Sequence, residues 1–484
     1  MNMKNASMPI LVILVSMTFI SIPVLASSSS ADDSTFNYTP LNVAVQAAPG
    51  NISPQSIPLC KTTSGINITC YSPDFIRTAY NFPNDLDGSG QTIVIVDAYG
   101  SPTITNDLAV FDSHWGLPAP PSFTIVCPPG GCPSKTLFGD YGIHEVEGWA
   151  FETSLDVEYA HAMAPGANIV LEVAAVAGGG AINVAEAQAI KSYPGSIMSQ
   201  SFGTLEFLIH NNNIQLMQAE MNYAAAKAEG ITVLASAGDS GASNGYGSAN
   251  AQFPASDPLV TAVGGTMGNP FFPRGTLTNC ATGTCSAGLV TFSGPCSVSS
   301  AISTSTCTPV GYGGEQVWNE LPFAAAGGGA PSLLFGAPNY QDNSAFSVCT
   351  GTLGSSNPNC MRTIPDVSYD AAVSGGVLVF TSFLGANIWF IAGGTSAGSP
   401  QWAAIFALVN QERASKGEGP LGFANPALYS IGESSIYTSN FHDITTGNNT
   451  LVGSTVGFSA GPGYDLGSGW GTPNVANLVS SLSS

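Results

Sequence analysis

The sequence predicts an α/β protein with a mostly parallel central sheet flanked by helices. Two observations carry this: short, nearly unbroken apolar runs recur along the chain, and helical patterns stand between them. Residues 91–97 (Gln-Thr-Ile-Val-Ile-Val-Asp) form the first buried strand. Residues 145–163 carry helical periodicity, with Trp149, Glu152, Asp156 and Met163 on one stripe at spacings of three, four and seven. Strands follow at 169–173, 196–203 and 231–238, with a helix over 215–229 between the last two. An apolar helix is expected over 401–409, from Gln401 and Trp402 to Val409. In such a sheet ligands bind at the carboxyl ends of the strands.

One serine stands out. Gly393-Gly394-Thr395-Ser396-Ala397-Gly398-Ser399-Pro400 is a glycine-rich turn running straight into the last helix. The glycines permit close backbone approach, and a helix N-terminus favours developing negative charge. The Gly-Thr-Ser-Ala turn with its following proline resembles the nucleophile motif of subtilisin-like serine peptidases. Gly394, Ser396 and Gly398 also match the Gly-x-Ser-x-Gly elbow of α/β-hydrolases. That elbow needs an acid and then a histidine downstream. Only His442 follows, directly before Asp443, and neighbours rarely converge on one serine. A subtilisin-type triad needs an upstream Asp and His. His114, His144, His161 and His210 are available, and none sits in a recognisable histidine motif.

A serine without a histidine needs another base, and carboxylates are the supply. Glu152 and Asp156 lie one helical turn apart on a face that also carries apolar residues. A solvated acidic face is the alternative reading, since Glu145, Glu147 and Glu158 are near. Two partly buried carboxylates in contact share a proton, which one of them can take from a serine and return to a leaving amine. Asp239 follows the 231–238 strand at the mouth of the sheet, in Ala237-Gly238-Asp239-Ser240-Gly241. It reads either as a turn aspartate or, if kept neutral, as a hydrogen-bond donor to an oxyanion.

These segments together resemble the sedolisin family of serine-carboxyl peptidases. The ordered matches are Glu152-x-x-x-Asp156 with Ala164-Pro165-Gly166-Ala167, Ser199-Gln200-Ser201-Phe202-Gly203, Ala235 through Gly241, Phe253-Pro254-Ala255-Ser256, Val263-Gly264-Gly265-Thr266, Val317-Trp318-Asn319, Gly327-Gly328-Gly329, Ile364-Pro365-Asp366-Val367-Ser368 and Gly394-Thr395-Ser396. They span about residues 70 to 478. The resemblance implies a subtilisin-like fold and peptide-bond hydrolysis in acid. It casts Ser396 as nucleophile, Glu152 as general acid and base, Asp156 as its orienting partner and Asp239 as oxyanion donor. It also implies one structural Ca²⁺ in a loop at 443–465. Asp443 and Asp465 would supply carboxylates there, and Ile444, Gly461 and Gly463 backbone carbonyls.

Composition fits an acidic medium. The 484 residues hold 31 Asp+Glu against 10 Lys+Arg, a formal charge of −21 that protonation relieves at low pH. Nucleic acid is excluded as a partner; protein or peptide substrates and a monomer are expected. Residues 1–26 read as a secretory signal, with Lys4, an apolar run over 9–22 and Val24-Leu25-Ala26 before Ser27; an uncleaved anchor is the alternative. The mature protein is then secreted, with no further membrane span. Ten cysteines fall into the close couples Cys60/Cys70, Cys127/Cys132, Cys280/Cys285, Cys296/Cys307 and Cys349/Cys360, which suits disulfides and local pairing.

Residues 27–69 form a short, partly flexible segment before a peptidase domain at 70–484 that carries a Cys-rich excursion at 268–310. That segment is too short for the N-terminal propeptide the resemblance implies. The resemblance implies that such a propeptide is removed by self-cleavage, so the shortness of this segment leaves folding assistance, activation and any cleavage beyond the leader open. Two other functions compete with the peptidase: an inactive or surface-associated binding protein on the same scaffold, and an esterase using the Gly394–Gly398 elbow.

Overall fold

Alternate residues of Ile93-Val94-Ile95-Val96 face opposite sides, and both sides are core. The strand that carries them, β1 (Thr92–Ala98), is an interior strand of a sheet built also from β2 (Phe123–Val126), β3 (Asn168–Ala174), β4 (Ile197–Gln200), β5 (Thr232–Ser236), β6 (Thr261–Gly268), β7 (Glu315–Val317) and β8 (Val367–Asp370). The order is β7-β6-β5-β4-β1-β3-β2, with β8 also on β6. Every pairing is parallel except β6 with β7.

Five helices cover the two faces: α1 (Ile104–Trp115), α2 (Ile143–Met163), α3 (Gly179–Ser192), α4 (Ile214–Ala228) and α5 (Gly398–Ser415). Ile93 and Ile95 share a core with Leu155 and Tyr159 of α2 and Trp402 and Phe406 of α5. Val94 and Val96 pack with Ile182 and Ala189 of α3 and Ala219 and Tyr223 of α4. Continuous apolar strands are what a sheet covered on both faces requires. The expected architecture is thus the observed one.

The computed structural model describes residues 36–47, 60–129, 131–132, 143–209, 213–268, 284–293, 308–341, 348–349, 360–383 and 387–484. The leader expected at 1–26 lies outside the described residues. All of them fall within one compact unit, Ser34–Ser484. Of the Cys-rich excursion, Thr284–Ala287 and Val290–Ser293 are described, and with Thr308–Tyr312 they form an antiparallel three-stranded sheet.

Two strands differ from expectation at the ends that matter. The run expected over 196–203 breaks after Gln200, and Phe202–Leu205 pairs in a different sheet. Ser201 lies outside the ladder: its carbonyl accepts from Leu41 N–H and from the Ser396 hydroxyl, and its own hydroxyl donates to Asp156 at 2.7 Å. The strand expected to reach residue 238 stops at Ser236, and Gly238 takes φ +120° to turn the chain.

The 27–69 segment supplies two short strands. Thr39–Pro40 pairs with Phe202 and Gly203. Val43–Gln46 pairs with β10 (Ile388–Gly393), which also pairs with β9 (Gly376–Thr381). Disulfides join Cys60 to Cys70 and Cys127 to Cys132, as the local couples suggest. Cys360 is disulfide-bonded and stands opposite Cys349 in a strand pair. The couples Cys280/Cys285 and Cys296/Cys307 involve residues outside the described ones.

Candidate active site

Helix α2 is apolar around nearly its whole circumference: Trp149, Ala150, Leu155, Val157, Tyr159, Ala160 and Met163 are all buried. Such a helix belongs inside, and it takes its carboxylates in with it. Glu152 and Asp156 are both fully buried, which removes the solvated-face reading. The Ser201 hydroxyl donates to Asp156, and the Asn42 side-chain amide makes a short hydrogen bond to Glu152 Oε2. Glu152 Oε1 and Asp156 Oδ2 have no donor among the described residues. A proton held between the two acids gives each oxygen a partner.

Burial pushes both carboxyls well above the usual range. For Glu152 the Asn42 amide pulls the other way, as does the Ser396 hydroxyl, while Asp97 and Asp239 push further up. For Asp156 the charges of Asp97 and then Glu152 add to burial, against the Ser201 hydroxyl.

Asp97 is the site residue that the sequence reading did not single out. It lies on β1 in phase with Ile93 and Ile95, so it faces the layer that contains α2. It is fully buried, and neither of its oxygens has a hydrogen-bond partner among the described residues. Burial raises its pKa to about 7, against a smaller opposing pull from Thr153. A signal existed: like Asp239, it is an aspartate at the carboxyl end of an apolar strand.

Ser396 sits in a single 3₁₀ turn, Thr395–Ala397, that leads directly into α5. Gly394 before it has φ +98°, and a Cβ there would come within 2.5 Å of Asp239 Oδ2. Glycine is therefore required both by conformation and by the approach of Asp239. The Ser396 hydroxyl donates to the Ser201 carbonyl at 3.2 Å. The main-chain N–H and hydroxyl of Thr395 both donate to Asp239 Oδ1, each at 2.8 Å, which fixes that carboxyl in place. Its other oxygen, Oδ2, is buried without a partner among the described residues. Burial lifts Asp239 to about 7, the Thr395 bonds pulling the other way.

The structure thus brings Ser396, Glu152, Asp156 and Asp239 together and adds Asp97 and Asn42. The histidines that can be followed are engaged elsewhere. His161 bonds the Pro118 carbonyl at 2.8 Å and lies 3.3 Å from Asp112, while His442 stacks on Tyr312. His114 packs against Trp115 and Trp389. A cleft of about 340 Å³ opens over the site, lined in part by Leu205, Asp239, Ser240, Asn244 and Phe323.

Four of the five residues named for an ion are joined in two pairs, Asp443 with Gly463 and Asp465 with Gly461. Gly463 N–H donates to both oxygens of Asp443 at 3.1 Å, and Gly461 N–H donates to Asp465 Oδ2 at 2.9 Å. Tyr437 donates to Asp443 at 3.0 Å. No hydrogen bond among the described residues reaches the carbonyl oxygens of Ile444, Gly461 or Gly463. No group of three or more His, Cys, Asp or Glu suited to a metal occurs among the described residues.

No family model matches the chain. Kumamolisin of Bacillus sp. (strain MN-32) is 32% identical over 419 residues, which is 86% of this chain and 64% of that protein. Tripeptidyl-peptidase 1 of Rattus norvegicus is 31% identical over 352 residues, 68% of this chain and 51% of that protein. The chain therefore spans less than two thirds of either curated relative. Among solved structures, Pseudomonas sedolisin, a serine-carboxyl proteinase complexed with two molecules of pseudo-iodotyrostatin, superposes with a TM-score of 0.63. It is 24% identical, covering 85% of this chain and 98% of that one, and it bears out the fold. From the ordered motifs, the shared architecture and these relatives, the chain belongs to the sedolisin family of serine-carboxyl peptidases.

Proposed function

We propose that this chain is a secreted endopeptidase that hydrolyses peptide bonds in acid through an acyl-enzyme on Ser396. The observation that carries the reading is the convergence of one serine with buried carboxylates, and with none of the described imidazoles, at the carboxyl ends of a parallel sheet. Ser396 Oγ attacks the substrate carbonyl and gives its proton to Glu152. Asp156, with Asp97 behind it, holds a shared proton and sets how readily Glu152 accepts another. Glu152 then protonates the leaving amine, and a water activated by Glu152 releases the acyl group. Asp239, kept neutral in acid by burial, points its free Oδ2–H at the oxyanion.

The pH dependence follows in sign. Asp239 donates only when protonated, so activity is present below about pH 7 and lost as pH rises through that value. Incubating the secreted protein and Ser396→Ala with denatured protein and with a short ester between pH 3 and 8 tests this. Acid-only peptide cleavage, abolished in Ser396→Ala, supports it. Ester cleavage alone would favour an esterase, and binding without turnover would favour an inactive scaffold.

Asp443 and Asp465 together with the unbonded carbonyls of Ile444, Gly461 and Gly463 fit a hard, oxygen-liganded cation, and we assign them one structural Ca²⁺. Bound there, it would tie the C-terminal loops together. Chelation should lower the melting temperature, added calcium should restore it, and Asp465→Ala should abolish the response. An unchanged melting temperature on chelation would remove the ion.

A further inference from the structure

A second cavity, of about 440 Å³, lies at the other end of the sheet from Ser396. Its size falls within the range of small-molecule sites, roughly 300–1,000 Å³. Thr92, the first residue of β1, and Ser196, the residue just before β4, both line it, so it sits at the amino ends of the parallel strands. Helix α5 contributes Asn410, which the helical rise puts about 18 Å from Gly398 along the axis. The cavity shares no lining residue with the cleft over the active site.

Two buried polar atoms of its wall have no partner among the described residues, Nδ2 of Asn410 and Oγ of Ser196. The residues themselves are only 2% and 3% exposed. Their other polar groups are spent. Asn410 Oδ1 accepts from Leu421 N–H at 2.8 Å, which fixes the amide and leaves its Nδ2 hydrogens uncommitted. Ser196 N–H donates to the Tyr193 carbonyl at 3.2 Å, and the Ser196 carbonyl accepts from Thr232 N–H at 3.2 Å. Only the Ser196 hydroxyl is left over. Buried polar groups are as a rule partnered, because leaving them unpaired is costly. A fixed amide donor beside a hydroxyl that can donate or accept matches a ligand rich in hydroxyls.

Charge narrows the class further. Among the described residues the lining holds no Lys, Arg or His, so an anion meets no counter-charge in a chain of formal charge −21. Glu418 is the one carboxylate there, and Arg413 holds it at 3.0 Å. One carboxylate, already paired, is too few for a hard cation. The wall adds the amide of Gln91 and the apolar ring surfaces of Tyr193 and Pro420. Ring surface for C–H groups, amides and a hydroxyl for hydroxyls, and no cation together describe a site for a neutral sugar.

We infer that this cavity binds a neutral hexopyranose, free in solution or at the end of a glycan. Asn410 Nδ2 donates to one sugar hydroxyl, Ser196 Oγ pairs with a neighbouring one, and Tyr193 and Pro420 cover the C–H surface. The inference goes beyond the peptidase reading and does not depend on it. With the cleft at the opposite end of the sheet, the chain can hold a sugar and keep its active site open.

The test uses full-length Ser396→Ala, which should bind as the wild type does and cannot digest itself on the peptidase reading. It is titrated in a calorimeter with the methyl glycosides of glucose, mannose, galactose and N-acetylglucosamine, and separately with sodium sulfate. Saturable one-to-one binding of at least one glycoside is expected, and none of sulfate. Ser196→Ala and Asn410→Ala, added to that background, should each weaken the binding by about tenfold. Asn410→Ala also strands Leu421 N–H; should it fail to fold, the half-buried Tyr193→Ala gives the second reading, with the same loss expected. Retention on mannan, amylose or chitin beads, released by the bound glycoside, assigns the end of a glycan; glycoside binding without retention assigns a free sugar. Absence of saturable glycoside binding, sulfate bound in its place, or glycoside binding that Ser196→Ala and the second variant leave unchanged overturns the inference.

Discussion

Two sets of buried carboxylates behave differently in this molecule. Glu186 and Glu320 are saturated. Glu186 accepts from Gln200 at 2.7 Å, Asn222 at 3.0 Å and Tyr223 at 3.0 Å. Glu320 accepts from Trp318 Nε1 and from the main-chain N–H groups of Val373 and Ser374. In the cleft, Asp97, Glu152, Asp156 and Asp239 each keep at least one oxygen without a donor among the described residues. Both sets are raised by burial, so the shift alone does not distinguish them. What separates them is unused hydrogen-bonding capacity beside a serine. A saturated acid fastens loops; an unsaturated one can hold, pass or donate a proton. An orphan oxygen is not sufficient either, for Asp370 has two among the described residues and the neighbour that most raises its pKa is another buried acid, Glu315.

Paired substitutions should break the comparison most visibly. Glu152→Gln should lower turnover by about 10²–10⁴-fold with the melting temperature little changed, as expected for a general acid–base group. Glu320→Ala should do the reverse. It strands two buried donors, Trp318 Nε1 and Val373 N–H, at roughly 1–3 kcal/mol each and the half-buried Ser374 N–H besides, while turnover per folded molecule stays the same. Thermal unfolding and kcat measured on the same samples decide it; equal loss of turnover in both variants would erase the distinction. Next in size, Asp239→Ala should cost about 10²–10³-fold in kcat with little change in KM. A rise in KM alone would make Asp239 a substrate contact.

The smallest effect is on stability against pH. Asp97 and Asp239 ionise near 7 in the fold but near 4 when unfolded, so the native state holds protons that the unfolded chain has lost. Their contribution is fully present below about pH 4 and is lost as pH rises to about 7. The melting temperature should fall by a few degrees across that window, and Asp97→Asn should flatten the fall. A melting temperature that rises from pH 4 to 7 in the wild type and is unaltered in Asp97→Asn would contradict the assignment.

The elements that sequence made legible were those with short-range signatures. Ile93 to Val96, the buried run from Gln401 to Val409 and the Glu152/Asp156 turn all declare themselves within a few residues. What stayed hidden depends on long-range closure. Asn42 carries no local pattern, and its role exists only because residue 152 folds against it, 110 positions away. At Ser201 likewise the partners lie far off in sequence, Leu41 on its carbonyl and Asp156, 45 residues earlier, on its hydroxyl. Asp97 was readable as a strand end, and only the packing of α2 against β1 turns it into a neighbour of Glu152.

Helix α5 has a consequence for when the molecule becomes dangerous. From Gly398 to Asn410 every residue of it is buried, and Ser396 stands one turn before its start. The serine is thus held by the innermost element of the protein, while its proton acceptor hangs on another interior helix and Asp239 on the sheet. A nascent or half-assembled chain lacks all three supports at once. On the peptidase reading, a chain whose core is not yet assembled would have no competent nucleophile, and hydrolysis would wait on folding.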